Sequence, residues 1–192
     1  MNSLKTIGVA LAVCALFAGT AQANIVTNGG FETGNTAGWA SNENDVRRGV
    51  NGFTPFGQFA LYGGCTLRLC DTSQVLATVA GAAYTFAFEY GSDGSTPNEF
   101  IALWGGIEVF RTINDLTNTR PGYIHQEFTL TASGASTDIR FRILNVRGFQ
   151  SLDNVSVVAV PAAASVPEPT SLALAGLALA GLGFCARRKR AA

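Results

Sequence analysis

In the stretch AYTFAFEYG, residues 83–91, Tyr84, Phe86, Phe88 and Tyr90 alternate with Thr85, Ala87 and Glu89. A period of two places all four rings on one side of an extended backbone, whereas a helix would scatter them. The stretch therefore predicts a half-buried strand. EFIALW (99–104) and IEVFR (107–111) flank Gly105-Gly106, a pair that suits a tight hairpin turn with positive φ. YIHQEFTLTA (123–132) and DIRFRIL (138–144) follow, with Ile124, Phe128 and Leu130 on one face, then Ile139, Phe141 and Ile143. Arg140 and Arg142 fall on the opposite face, and SLDNVSVVAV (151–160) reads as a closing strand. Strands about ten residues apart, separated by Gly and Asn/Asp turns, predict an all-β sandwich. Nothing between residues 24 and 160 has a helical period or repeats itself.

Both ends of the chain are different in kind. Lys5, an uncharged apolar run over 7–18 and Ala21-Gln22-Ala23 make a secretory signal peptide over 1–23, with Asn24 as the mature N-terminus. Export through the Sec route follows. Near the other end, 172–186 is an uncharged run of fifteen residues within a predicted hydrophobic helix over 171–186. At about 1.5 Å per residue it spans about 22 Å, less than a hydrocarbon core of about 30 Å. Snorkelling side chains and local thinning accommodate such a segment. Arg187, Arg188, Lys189 and Arg190 hold its far end cytoplasmic by the positive-inside rule, leaving the preceding residues outside.

The order of features at this end, Pro167-Glu168-Pro169, then a hydrophobic helix, then a basic cluster at 187–190, resembles the PEP-CTERM sorting signal of Gram-negative bacteria over 166–190. The resemblance implies an exosortase-type membrane protease or transpeptidase as partner. It also implies a transient inner-membrane tether, and delivery to the cell surface or extracellular matrix. A plain C-terminal anchor is the competing reading.

With 1–23 and 166–190 set aside, residues 24–160 suffice for one domain with a core, and 161–165 (PAAAS) reads as a linker. Both lysines lie in the targeting segments. Residues 24–165 keep eight arginines against twelve acids, a net charge near −4. A mildly acidic, lysine-free domain is a poor match for nucleic acid or anionic lipid.

Three phrases in sequence order, NGGFETGNTAGW (28–39), SQVLATVAGAAYTFAFEYG (73–91) and SLDNVSV (151–157), resemble the jelly-roll, galactose-binding-like sandwich of many carbohydrate-binding modules. That implies a scaffold for extracellular polysaccharide and names no sugar. It also implies a structural Ca²⁺ between the first and last strands, held by Glu32, through side chain or carbonyl, and by the Asp153 carboxylate. Calcium wants six to eight oxygens and accepts such mixed donors.

Residues able to carry chemistry are few. Cys65 and Cys70 are the only cysteines outside the targeting segments, and an exported pair predicts a disulfide. Five residues apart on a flat strand they would face opposite ways, so the bond demands a turn or bulge in CTLRLC. His125 is the only histidine, placed opposite Ile124 and Phe128, and reads as a solvated strand residue. No G-x-S-x-G motif or zinc-ligand spacing accompanies it. Glu89, Asp93, Glu99 and Glu108 are candidate glycoside-cleaving carboxylates, but Asp93-Gly94 is first a turn signal, and no catalytic residue is assigned. Sugar faces stack on aromatics, which nominates Trp39, Tyr62, Tyr90, Trp104 and Tyr123; Trp39 and Trp104 read as core. The chain thus predicts a non-enzymatic exported module that binds or organises polysaccharide. A purely structural surface protein without glycan affinity, or a small glycan-active enzyme, are the alternatives.

Overall fold

The structure, a computed structural model, describes residues 22–48, 56–117 and 123–162. Among these no residue is helical, and ten strands run in the order β1 (Ala40–Ser41), β2 (Asp45–Arg48), β3 (Phe59–Gly63), β4 (Cys70–Ala77), β5 (Ala83–Ser92), β6 (Asn98–Trp104), β7 (Ile107–Ile113), β8 (Ile124–Thr131), β9 (Ser136–Asn145) and β10 (Gln150–Ala159). They form two five-stranded antiparallel sheets, ordered β1-β4-β9-β6-β7 and β2-β3-β10-β5-β8. The all-β sandwich read from the alternation is the fold observed. No described helix is long and apolar enough to cross a membrane; the predicted signal peptide and tail helix lie, but for Gln22 and Ala23, outside the described residues.

The two inner faces interdigitate as the alternation requires. Tyr84, Phe86, Phe88 and Tyr90 from β5 meet Phe100, Trp104, Ile139, Phe141 and Ile143 from β6 and β9, all at or below 5 % exposure. Ring centroids lie 5.1 Å apart for Phe88 and Phe141 and 4.6 Å for Tyr90 and Phe100, within the range of favourable aromatic pairing. Each buried ring contributes about 1.5–3 kcal/mol. Trp104 packs on Phe86 and donates its indole N–H to Thr131 O. The β6–β7 hairpin turns at Gly105 and Gly106, both with positive φ as predicted.

One expectation needs revising. β5 is not half-buried: Ala87, Glu89 and Gly91 on its other face are also covered. It sits between β10 and β8 in mid-sheet, and Tyr123 and Ser151 close over Gly91, where an added Cβ would lie 2.5 Å from Ser151 Oγ. Pairing and overhang bury that face, and neither is visible in a period of two.

The chain's start is stitched to its end. Asn24 bridges Val158, Ile25 N donates to Val157 O, and Asn24 Oδ1 accepts from Val157 N. Gly29 lies so close to β10 that a Cβ would meet Val155 O at 2.0 Å, which only glycine avoids.

Candidate functional site

Residues 28–34 form a turn-rich loop over the middle of β10. Asn28, Phe31 and, on β10, Asn154 hold φ near +50°, a strained choice for a bulky residue such as Phe31. Phe31 accepts that strain while its fully buried ring packs on Trp39. The loop thereby carries Glu32 over Asp153, with Gly30 between: a Cβ there would lie 3.7 Å from Glu32 Cγ and 3.8 Å from Asp153 Oδ1. Glu32 is exposed, and its carboxylate accepts hydrogen bonds from Gln58 N and Phe59 N. Asp153 is fully buried; Oδ1 accepts from Asn154 N, while Oδ2 has no hydrogen-bond partner among the described residues. Burial, then repulsion from Glu32 and Glu89, pushes its carboxyl up to about 7. Both predicted calcium ligands thus approach Gly30, Glu32 by its Cγ and Asp153 by its Oδ1. An orphaned, buried carboxylate oxygen beside a second acid fits the chemistry of a hard divalent cation.

The outer face of the β2-β3-β10-β5-β8 sheet continues from Asp153. The register sets Asp153 opposite Glu89 and Glu89 opposite His125. His125 Nδ1 contacts Glu89 Oε1, and Nε2 faces Glu127 Oε2; these carboxylates hold the imidazole pKa above its ordinary value, the Glu89 hydrogen bond most. In the next row Tyr62, Ser151 and Gly91 align, and Tyr123 leans over them, its hydroxyl pKa raised by burial. His125 is itself exposed, as its sequence position predicts.

The remaining candidate carboxylates are engaged structurally. Asp93 accepts from Ser95 N, Phe149 N and Asn145 Nδ2, and these bonds outweigh desolvation to lower its pKa. Glu99 and Glu108 both pair with Arg111. Of the five nominated aromatics, Trp39, Tyr90 and Trp104 are core residues, while Tyr62 and Tyr123 stand on the outer face.

Cys65 and Cys70 are joined, with Cα atoms 6.0 Å apart. The bends at 66–68 between them supply the turn that the bond requires. Glu43, itself at φ +63°, sets Oε2 3.2 Å from Cys70 Sγ and 3.6 Å from Cys65 Sγ, and also pairs with Arg68. Glu43, Cys65 and Cys70 cluster closely enough to hold a metal, but the sulfur–sulfur bond leaves no thiolate to ligate one. Beside this bridge opens a cleft of about 290 Å³ lined by Glu43, Asp45, Tyr62, Gly64, Cys65, Thr66 and Phe149. Sequence reading missed Phe149, because a single phenylalanine after Gly148 has no periodic context.

The sorting residues Pro167, Glu168 and Pro169 and the basic cluster lie outside the described residues. Comparison with known proteins speaks to them directly. Residues 165–189 match the family profile described as the PEP-CTERM protein-sorting motif, which marks an exported protein processed at the membrane. No curated protein sequence matches the chain. Among solved structures, TmCBM61 in complex with β-1,4-galactotriose is similar at TM-score 0.58 and 16% identity, covering 72% of this chain and 99% of that one. The CBM22-1 xylan-binding domain of Paenibacillus barcinonensis Xyn10C follows at 0.52 and 16%, covering 76% and 100%. A Stig cyclase, Fisc, from Fischerella sp. TAU reaches 0.54 and 20%, covering 74% and 100%. At such identities the likeness is one of fold, and the fold houses binding modules and cyclases alike. The chain carries a PEP-CTERM protein-sorting motif behind a β-sandwich of the kind found in carbohydrate-binding modules.

Proposed function

We propose that the chain is an exported substrate of an exosortase-type membrane enzyme, whose sandwich binds or organises extracellular polysaccharide at the cell surface or in the matrix. The observation that carries this reading is the pairing of a sorting motif at 165–189 with a sandwich similar to carbohydrate-binding modules. In this reading 1–23 is a Sec signal peptide, 24–160 the displayed module and 161–165 a linker. The segment 166–190 tethers the intermediate to the inner membrane until processing. Binding without catalysis is supported by the engagement of all four candidate carboxylates, Glu89 with His125, Asp93 with backbone N–H groups, and Glu99 and Glu108 with Arg111. Calcium held by Asp153 and Glu32 is part of the proposal, supported by the partnerless Asp153 Oδ2. Its task there is to neutralise two adjacent acids and pin the first loop to the last strand.

The test is binding of the full-length chain, solubilised in detergent, to an array of neutral and charged polysaccharides, with reducing-end release measured on the same glycans. Retention without release is expected. Absence of retention favours the purely structural protein, and release of reducing ends favours the enzyme.

A further inference from the structure

β10 runs from Gln150 at one end of the sandwich to Ala159 at the other, where Asn24 bridges Val158. The start of the domain and the stretch that leads to the sorting motif therefore leave from the same end, shared with the Gly105-Gly106 hairpin turn beside Ile139. The opposite end gathers residues 42–45, 63–69, 92–97, 114–117 and 145–149, because β3, β5, β6, β9 and β10 each have a terminus there. A module held by its tail presents this second end outward, and the cleft beside the disulfide is on it.

The cleft is held in shape from several directions. The Cys65–Cys70 bond fixes one wall, and Asn145 N donates to Cys65 O across to β9. Phe149 N donates to Asp93 Oδ2 and Gly148 N to Asn145 Oδ1, which fixes the loop bearing Phe149. A Cβ at Gly64 would meet the Phe149 ring at 2.8 Å, so the glycine lets the ring lie against the wall. Phe149 nonetheless stays 41 % exposed. Glu43 adopts its left-handed backbone in a turn closed by Asn44 N to Asn42 O, which sets its carboxylate at the cleft. A strained acid, an open aromatic ring and a rigid disulfide wall converge on one space of about 290 Å³. That volume is at the lower limit of about 300 Å³ for small-molecule pockets, the scale of a chain end and not of an extended polymer.

We infer that this cleft takes the end of a neutral saccharide chain. The apolar C–H face of one sugar ring lies on Phe149, and its hydroxyls donate to the Glu43 and Asp45 carboxylates and to Thr66. The charge class follows from the lining, which holds two carboxylates, while the charge of the adjacent Arg68 is already engaged by Glu43. The inference rests on the glycan-binding reading above and assigns it a place and a ligand class.

Three probes test it with the isotope-labelled full-length chain in detergent: β-1,4-galactotriose, the producing cell's own exopolysaccharide, and an oligogalacturonate. The expected result is that a neutral probe shifts the amides of Gly64, Cys65, Thr66 and Phe149. Phe149→Ala, and Thr66→Trp, which fills the mouth from an exposed position, should each weaken binding by at least about ten-fold. Glu43→Gln, which keeps shape and removes charge, guards against a folding defect in the aromatic variant. Binding that all three variants leave intact overturns the site while the glycan reading stands. Uronate binding equal to or tighter than neutral binding overturns the ligand class. Failure of the unsubstituted chain to bind any probe overturns the glycan reading itself, and the inference with it.

Discussion

His125 Nδ1 sits 2.8 Å from Glu89 Oε1, directly across the β8–β5 register, and Glu127 Oε2 approaches the other ring nitrogen at 3.6 Å. When protonated, the imidazole thus clasps an edge strand to the middle of the sheet. Its pKa is raised in the folded protein, so its contribution is complete below the unfolded value of 6.5 and disappears as pH rises through the folded value. The ring is exposed, which limits the effect to about 1 kcal/mol or less. The melting temperature of His125→Ala should fall below that of the unsubstituted chain at pH 5.5 and rejoin it at alkaline pH. Parallel curves across that range would contradict the clasp.

Asp153 has the opposite preference for protons from an ordinary salt-bridged acid. With its carboxyl at about 7 against a usual 3.8, the folded state binds the extra proton, so stability without calcium should decline as pH rises between those values. Calcium should reverse the decline, adding about 2.7 kcal/mol at a hundred times its dissociation constant. Asp153→Asn should flatten the pH dependence and abolish the response. A thoroughly chelated protein whose melting curve ignores millimolar calcium at pH 8 would dispose of the site.

The Cys65–Cys70 bond closes a loop of few residues, for which chain entropy gives about 2 kcal/mol. Cys65→Ser with Cys70→Ser should lower stability by at most that amount and leave the sheets intact. It should broaden the amide resonances of Thr66 and Phe149 selectively. Peptide mapping without reductant should recover the two cysteines joined; full alkylation of unreduced protein would refute the bond.

Processing of the tail has a mass signature. Protein recovered from the native surface should lack Arg187, Arg188, Lys189 and Arg190, and replacing Pro167-Glu168-Pro169 with alanines should retain them. A basic cluster still attached to mature surface protein would leave an ordinary anchor as the explanation.

The fold was legible because alternation is a local property. Tyr84 to Tyr90, Ile139 to Ile143 and the Gly105-Gly106 turn each declare their face or bend within a few residues, and the structure agrees with all three. Trp104 could be assigned to the core on the same grounds, and Trp39 from its place in the 28–39 motif that carries the resemblance. The disulfide followed from the export setting, and the need for a turn from pleat geometry. What stayed hidden depends on which strands become neighbours. Nothing near Glu89 reveals that His125, 36 residues on, will lie opposite it, or that Asp153 will complete the row. The cleft escaped for the same reason, as Glu43, the 62–66 segment and Phe149 come from three separate stretches.

The stitch between Asn24 and β10 spans 133 positions, nearly the whole domain. In the proposed export, which runs N-terminus first, Asn24 is delivered long before Val157 arrives to receive it. Contacts of such range form late and slowly, because the intervening loop must close before they return anything. β10 is also the strand on which β3 and β5 both pair, so the second sheet is two separate pieces until that strand emerges. Completion of the sandwich is in this way timed to the passage of its final residues, and a truncated or stalled chain has no finished module to display.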